Sequence, residues 1–405
     1  MNKKRKIIFF DFVTHYGGAQ RSTVFVLKQL KNFDEIYVID AYGFCERYIN
    51  ALAAHKIPTH ILLPGARTVY IGHSGKILKR ALSLLKQLPI LIKLRSRLIK
   101  KIREINPDVI WTNSYKALLF LLPNFRLRRY PVFFYARGWS RRCEVGVLAR
   151  WLIKKADYVL AISNATAKEL ESWGVQKEKI KVIHTPIDFN TAVEGSNKDA
   201  QLEPPGTKSS FKVLLPGQLL LTKGQHTAIE AAHLLKQEGL DLVVWLVGDI
   251  KIGTEDNYYK YIKDLISRYG LQDSVFLLGW RNDVLSLMNL CDVVILPSHT
   301  EGFPRTVWEA MVLKRPVIAT PVGGVVDIIK DGKTGLLMPV DNAEALAQNL
   351  KKLILDKKLC AKLTQNAYNQ LVENFSVDKQ VKLLRESFSH ATRVKSGNNR
   401  ETQTA

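Results

Sequence analysis

The sequence predicts an α/β protein built of two Rossmann-type domains, on three observations. The chain has 405 residues, too many for one ordinary domain, and 46% are hydrophobic, enough for two packed cores. Short apolar runs alternate with stretches of helical periodicity in both halves. Between the halves, residues 190–210 are polar and rich in Pro, Gly and Ser. The expected organisation is a first domain over 1–190, a linker over 191–210 and a second domain over 211–376. A helix over 377–390 and a polar, disordered tail over 391–405 follow.

In the first half, Lys6 to Val13 reads as a buried strand, and Thr14-His-Tyr-Gly-Gly-Ala-Gln-Arg leads from it into an amphipathic helix through Leu30. Gly17 and Gly18 at that helix start let backbone N–H groups approach a ligand, although a Gly pair is more often just a tight turn. Further strands are expected at Ile36–Asp40, His60–Leu63, Val109–Thr112, Val132–Ala136 and around Tyr158. In the second half, strands are expected at Phe211–Leu215, Leu242–Val247, Val275–Leu278, Asp292–Leu296 and Pro316–Thr320, and residues 341–390 read as helical.

The stretch from Pro297 to Arg315 carries the chemistry. It reads strand, loop, helix, strand, with Pro304 suited to the first helical turn and Val307, Ala310 and Met311 at helical spacing. A loop at the carboxyl end of a parallel strand is where open α/β sheets bind ligands, and the helix N-terminus suits phosphate. Glu301 and Glu309 frame it, with seven residues between them. A lone Glu pair is ordinarily solvated. Glu309, however, lies in the apolar run Val-Trp-Glu-Ala-Met-Val, where burial of an unpaired carboxylate is costly and a hydroxyl-rich ligand would supply donors.

Glu301-Gly302-Phe303-Pro304 through Glu309 resembles the Glu-x7-Glu motif of the retaining family 4 (group 1) glycosyltransferases, and the similarity spans most of the chain. Gly217-Gln218 to Lys223-Gly224 resembles that family's Gly-Arg…Lys-Gly loop, with Gln218 where Arg is common. Gly323-Gly324-Val-Val-Asp327 resembles its Gly-Gly-x-x-Glu. The resemblance implies a GT-B architecture, two Rossmann-like domains facing across a cleft, with the last helix crossing back to the first domain. It implies sugar transfer from a nucleotide diphosphate sugar with retention at the anomeric carbon. Glu301 and Lys223 would act at the reacting centre. Gly17, Gly18, Gln218, Gly302, Phe303, Pro304, Arg305, Thr306 and Glu309 would hold the donor. Tyr135-Ala-Arg137 stands where the family commonly has a His, so Arg137 and Arg141, with His15, are acceptor-binding candidates for an anionic group; a plain basic loop is the competing reading. The other functions to be weighed are a non-catalytic nucleotide-sugar or glycan-binding protein of this fold and a related epimerase or phosphorylase.

The net charge of +23 is uneven: residues 1–200 hold 35 Lys+Arg against 15 Asp+Glu. Between Lys76 and Arg103 ten basic residues occur with no acid, interleaved with Leu, Ile and Ala. This pattern suits a basic amphipathic helix pair broken near Pro89 and lying on anionic lipid; a solvated basic face or an RNA-binding face are alternatives, and nucleic acid is not expected without interleaved aromatics. The segment carries too many charges to span a bilayer. Cys45, Cys143, Cys291 and Cys360 have no paired spacing, which fits a reducing compartment. No signal peptide, Asp-x-Asp or clustered His is visible, so the expectation is a cytoplasmic enzyme at the inner face of the membrane, with a nucleotide-sugar co-substrate, a glycan or lipid-linked acceptor, no cofactor and no metal.

Overall fold

The computed structural model describes residues 4–65, 77–122, 127, 129–138, 145–197, 204–206, 210–249 and 257–401. They fall into two compact units: unit 1 within 1–162, 167–186 and 380–405, and unit 2 within 163–166 and 187–379.

Unit 1 runs β1 (Lys6–Asp11), α1 (Gly18–Leu30), β2 (Glu35–Asp40), α2 (Glu46–Ala54), β3 (Thr59–Ile61), α3 (Ile77–Ile105), β4 (Val109–Thr112), α4 (Tyr115–Leu121), β5 (Val132–Ala136), α5 (Val147–Lys155), β6 (Tyr158–Ala161), α6 (Asn164–Ser172) and β7 (Ile180–Val182). Its seven strands pair in parallel in the order β3-β2-β1-β4-β5-β6-β7. Apolar runs such as Ile7-Ile-Phe-Phe10 are buried on both faces, as parallel strands covered by helices require.

Unit 2 runs α7 (Phe189–Ser196), β8 (Phe211–Pro216), α8 (Gln225–Gln237), β9 (Leu242–Val247), α9 (Asn257–Arg268), β10 (Val275–Gly279), α10 (Val284–Leu290), β11 (Val293–Leu296), α11 (Arg305–Val312), β12 (Val317–Ala319), α12 (Val325–Ile328), β13 (Leu336–Leu337), α13 (Ala343–Leu355) and α14 (Lys357–Phe375). Its six strands are also parallel, in the order β10-β9-β8-β11-β12-β13. In each sheet the chain order reverses at one point, between β1 and β4 and between β8 and β11. Loops leaving the carboxyl ends of such neighbours diverge and open a crevice.

The last helix, α15 (Val377–Glu401), packs with unit 1 from Gln380 onward. Phe388 stacks edge-on to Phe133, and Asp34 holds both Arg5 and Arg385. The helix therefore extends into the expected disordered tail, and Ala391 is fully buried.

Three other expectations need correction. The linker does not begin at 191: α7 occupies Phe189–Ser196, capped by Asp188, whose carboxylate accepts from the Thr191 N–H. Gly195 packs against Leu285 of α10 and its carbonyl accepts from the Ser286 hydroxyl, so a composition that reads as loose chain is a docked helix. The basic segment is one helix through Pro89 rather than a broken pair. Pro89 is on the exposed side, where the carbonyl it leaves unbonded can bind water, and burial of Leu94, Leu98, Ile102 and Ile105 holds the helix together. Finally, Pro304 caps α11 from outside, in extended backbone, with Arg305 the first helical residue.

Candidate functional site

The candidate site of unit 2 forms where β8 and β11 lie side by side. The loop after β8 carries Gly217, Gln218 and Lys223; the loop after β11 carries Ser298, His299, Glu301, Gly302 and Phe303. Backbone contacts tie the two loops. The His299 N–H donates to the Thr222 carbonyl at 2.9 Å, and Thr320 Oγ1 donates to the carbonyls of Ser298 and Leu296. Gly224 caps α8 at φ +70°, and a Cβ there would stand 2.2 Å from the Pro297 carbonyl oxygen. Only glycine fits that crossing.

Lys223 Nζ reaches Glu301 Oε1 at 2.6 Å. The pair is partly buried at the mouth of the loops, with a cation and a carboxylate held side by side before α11. Behind Glu301 stands a second close crossing. Gly323, at φ +52°, faces the Glu301 carbonyl so closely that a Cβ would lie 1.6 Å from its oxygen, and one at Gly324 would lie 2.2 Å from the Gly302 oxygen. The glycine pair after β12 thus sets the height of the Glu301-Gly302 backbone.

Phe303 is buried against Phe375, their rings 5.5 Å apart, so its side chain anchors the loop in the core instead of facing a ligand. Glu309 is not short of donors as the apolar run suggested. Arg305, one turn earlier, gives it two hydrogen bonds at 2.7 and 3.1 Å. An i,i+4 pair at the helix start satisfies the carboxylate inside the protein and leaves a guanidinium beside the helix N-terminus. Arg305 and Thr306 keep part of their surface open, and Gln218 is exposed, its carbonyl held by the Gln225 amide at 2.8 Å. Trp280, just beyond Gly279, is 67% exposed.

Unit 1 has a polar group of its own at the β1–β4 switch point. Gly17 caps α1 at φ −99°, a conformation open to any residue, and its N–H donates to Gln20 Oε1 at 3.2 Å. Gly18 begins the helix and, like His15, is exposed. Ahead of them, Asp11 accepts from the Phe12 N–H, and Asp40 accepts from the N–H groups of Val13, Tyr42 and Gly43. Burial pushes the Asp11 carboxyl up to about 7, with Asp40 adding and the Phe12 hydrogen bond and Arg137 subtracting.

Arg137 lies over the Tyr135 ring, 4.9 Å from its centroid, and donates through Nη2 to Thr185 Oγ1 at 3.2 Å. Among the described residues its buried Nε and Nη1 have no hydrogen-bond partner, and Tyr48 Oη is in the same condition. Leaving such donors unmade costs free energy that a ligand can recover. Tyr135 is fixed elsewhere, its hydroxyl donating to the Ile183 carbonyl and its pKa pushed to about 12 by burial. Arg137 thus keeps two guanidinium nitrogens without a partner among the described residues. Arg141 lies outside the described residues.

The sequence reading missed two groups. Asp11 and Asp40 each end an apolar strand with a carboxylate, a signal that was there to be read. His226, His299 and Asp341 come from three distant parts of the chain, yet their ligand atoms lie within 4.8 Å of one another, so the expectation of no clustered histidines does not hold.

Two parallel α/β units, with a basic and an acidic side chain paired where the unit 2 sheet switches direction, define the class of nucleotide-binding α/β proteins. Comparison with known proteins narrows the class. The model of the glycosyl transferases group 1 family matches residues 197–370, and that of Glycosyltransferase Family 4 matches residues 16–191. The chain belongs to the group 1, family 4 glycosyltransferases.

The chain is 28% identical, over 96% of its length and 97% of the relative's, to the UDP-Gal:alpha-D-GlcNAc-diphosphoundecaprenol alpha-1,3-galactosyltransferase of Escherichia coli. It is 29% identical to WcaL of Salmonella typhimurium, a protein assigned to colanic acid biosynthesis; there the match covers 56% of this chain and 54% of that one, so the chain spans about half of that relative's length. Among solved structures, Anabaena Alr3699/HepE in complex with UDP-glucose superimposes with a TM-score of 0.77 at 26% identity, over 95% of this chain and all of that one.

Proposed function

We propose that the protein transfers a sugar, with retention at the anomeric carbon, from a nucleotide diphosphate sugar to a lipid-linked glycan in the assembly of a cell-surface polysaccharide. The observation that carries the reading is the Lys223–Glu301 pair at 2.6 Å beside the start of α11. Negative charge builds on the leaving diphosphate as the glycosidic bond breaks. A fixed ammonium and a helix N-terminus lower that charge's energy without reorganising. Lys223 meets the diphosphate, Glu301 holds ring hydroxyls of the sugar, and Arg305 adds a second cation when it leaves Glu309 free to accept from the ribose hydroxyls. The backbone of Gly302, Phe303 and Pro304 and the side chain of Thr306 line the same seat, and Trp280 offers the base a stacking face. The enzyme's contribution is mainly positioning, and the leaving phosphate oxygen takes the acceptor's proton. With these cations in place the diphosphate needs no divalent ion, so rates with and without added Mg2+ will match.

The bound UDP-glucose of the Anabaena structure and the UDP-Gal named for the Escherichia coli relative favour a UDP-sugar here. In unit 1, Arg137, just after β5, meets the acceptor's phosphate, with His15 on the separate loop between β1 and α1. A thermal-shift panel of UDP-, GDP- and ADP-sugars tests the donor reading. Stabilisation by a UDP-sugar that is lost in Glu309→Ala and Lys223→Ala supports it, and stabilisation unchanged in both variants overturns it. Gln218→Arg will tighten donor binding, because the exposed amide occupies a place from which a guanidinium reaches the diphosphate.

Contact with an anionic membrane follows from the same reading. Among the described residues no helix is long and apolar enough to cross a bilayer. In α3 the apolar face from Leu94 to Ile105 is spent on the core, and among the described side chains Leu88, Ile92 and the basic face with Lys93, Lys100 and Arg103 are open to lipid. α5 exposes Val147, Leu148 and Trp151 beside Lys154 and Lys155, a more suitable interfacial helix than the one the charge run suggested. The protein will co-sediment with anionic but not zwitterionic liposomes in low salt, and Trp151→Glu will release it; sedimentation indifferent to lipid charge would sink the idea.

A further inference from the structure

His226 is the second residue of α8, three residues beyond Lys223; His299 is two residues before Glu301; Asp341 precedes α13. Asp341 Oδ1 stands 3.1 Å from His226 Nε2 and 2.7 Å from His299 Nε2. The histidine rings are 6.3 Å apart and nearly perpendicular, so their Nε2 atoms converge on the carboxylate from two directions. Asp341 adopts φ +53°, a strained conformation for a residue other than glycine, which aims its carboxylate at the pair.

The hydrogen-bond network fixes the His226 tautomer. Gln225 gives its amide N–H to the Gln218 carbonyl, so its Oε1 faces Tyr258 and accepts the phenolic proton. Tyr258 Oη is then an acceptor for the His226 backbone N–H at 3.3 Å and for the ring Nδ1 at 3.0 Å. With its proton on Nδ1, a neutral His226 presents the Nε2 lone pair to a carboxylate oxygen. Two acceptors at that distance repel unless a proton or a metal cation lies between them. A ligating histidine whose other nitrogen donates to a fixed partner is the usual arrangement around a metal. Glu230 and Glu344 lie within electrostatic range of the same corner. In a chain of net charge +23, this is a locally acidic place.

We propose that His226 Nε2, His299 Nε2 and Asp341 Oδ1 bind one divalent transition ion of the zinc class, which clips the loop bearing Lys223 to the loop bearing Glu301. Tetrahedral zinc with bonds of about 2.0–2.1 Å sets its ligand atoms about 3.3 Å apart and leaves the fourth position to water; the His226–Asp341 separation of 3.1 Å is close to that, and the His299–Asp341 separation of 2.7 Å opens by about 0.6 Å when the ion enters. All three residues keep some solvent exposure, so the ion enters directly. Its task is structural: it holds the cation and carboxylate of the site in register and touches neither substrate.

The test is made with the full chain, stripped with EDTA and desalted at pH 7.5, by calorimetric titration with Zn2+ alone and by the visible absorption of Co2+. One equivalent is expected to bind, with the Co2+ bands of a tetrahedral site and a rise in melting temperature. His226→Ala and Asp341→Asn should each abolish it, and Tyr258→Phe, which leaves the ligands in place, should weaken it by about 10-fold. Should either ligand variant fail to fold, Tyr258→Phe and the Co2+ spectrum decide. Absence of saturable binding, or binding unchanged in the variants, overturns the proposal. No sugar enters the measurement, so its failure leaves the transferase reading untouched, and the reverse holds.

Discussion

The two units share one architecture and finish their switch points in opposite ways. In unit 2 the charged groups are matched in pairs. Lys223 is matched by Glu301, Arg305 by Glu309, and the backbones of three loops cross where only glycine fits. In unit 1 the unmet groups include a charged one: Arg137 Nε and Nη1, with Tyr48 Oη of α2, have no partner among the described residues, and Asp11 sits with its pKa raised to about 7, whereas the unmet atoms near the unit 2 site, Ser298 Oγ and Trp308 Nε1, are neutral. A site with matched charges is preformed for a ligand that is itself invariant, such as a nucleotide diphosphate. A site with an unmatched cation relies on its ligand to complete it, which is what the acceptor role proposed for unit 1 requires.

The largest break in that comparison comes from Lys223→Ala. Removing a fixed cation from a developing anion typically costs about 100- to 1,000-fold in rate, and it also strips Glu301 of its partner. Steady-state kinetics with a UDP-sugar should show the loss in kcat, with unit 1 variants leaving donor KM alone. A Lys223→Ala enzyme within a factor of about three of the parent would mean that the diphosphate is neutralised elsewhere.

Gly323→Ala comes next. The left-handed backbone alone costs about 1–3 kcal/mol, and the added Cβ would overlap the Glu301 carbonyl, so the loop must move. A displacement of about 1 Å can cost about 100-fold in rate, so activity should drop to that extent while much of the fold survives. The control sharpens the contrast between units. Gly17→Ala meets His15 at 3.4 Å and Gln20 Oε1 at 3.5 Å, both ordinary contacts at an ordinary φ, and should melt nearly as the parent does.

How far these sites were legible follows from the range of the contacts. The fold was readable because both sheets are made of contiguous apolar strands; Val109–Thr112 and Val132–Ala136 were predicted to the residue. Glu301, Glu309 and Lys223 were readable because each sits in a short local pattern. Pairing was not: Lys223 and Glu301 are 78 positions apart, and the loop crossing at Gly323 depends on tertiary packing. Composition misled at 189–196 and in the terminal helix, because polar residues there cover helices docked by one apolar stripe. In α3 composition left open which apolar residues face inward; Leu94, Leu98, Ile102 and Ile105 serve the core of unit 1, while Leu88 and Ile92 are exposed. The His226–His299–Asp341 cluster needs three loops brought together, and no spacing in the sequence signals it.

Arg137→Ala carries the comparison to unit 1. It removes a partly buried guanidinium with two idle nitrogens, so an anionic acceptor should lose a charge-assisted bond worth about 1.5–3 kcal/mol. That predicts a rise of about 10- to 100-fold in acceptor KM, with donor affinity by thermal shift unchanged. A matching loss of donor binding would erase the division of labour between the units.

The smallest effect belongs to Asp11, and it is one of pH. In the unfolded chain this carboxyl titrates near its ordinary 3.8; in the folded protein burial holds it near 7, with Asp40 adding and the Phe12 N–H and Arg137 opposing. Between those values the folded chain keeps a proton that the unfolded chain has released. Stability from this group is therefore full below the unfolded value and lost as pH rises toward the folded one, with no further change above it. Melting temperatures measured from pH 4.5 to 8 should fall more steeply for the parent than for Asp11→Asn, which keeps the shape and never ionises. Arg137→Ala, by removing the one cation that holds the shift down, should move the end of the slope to higher pH. A slope identical in parent and Asp11→Asn would mean that Asp11 is as well hydrated in the folded protein as in the unfolded chain, and that the polar group of unit 1 is as closed as that of unit 2.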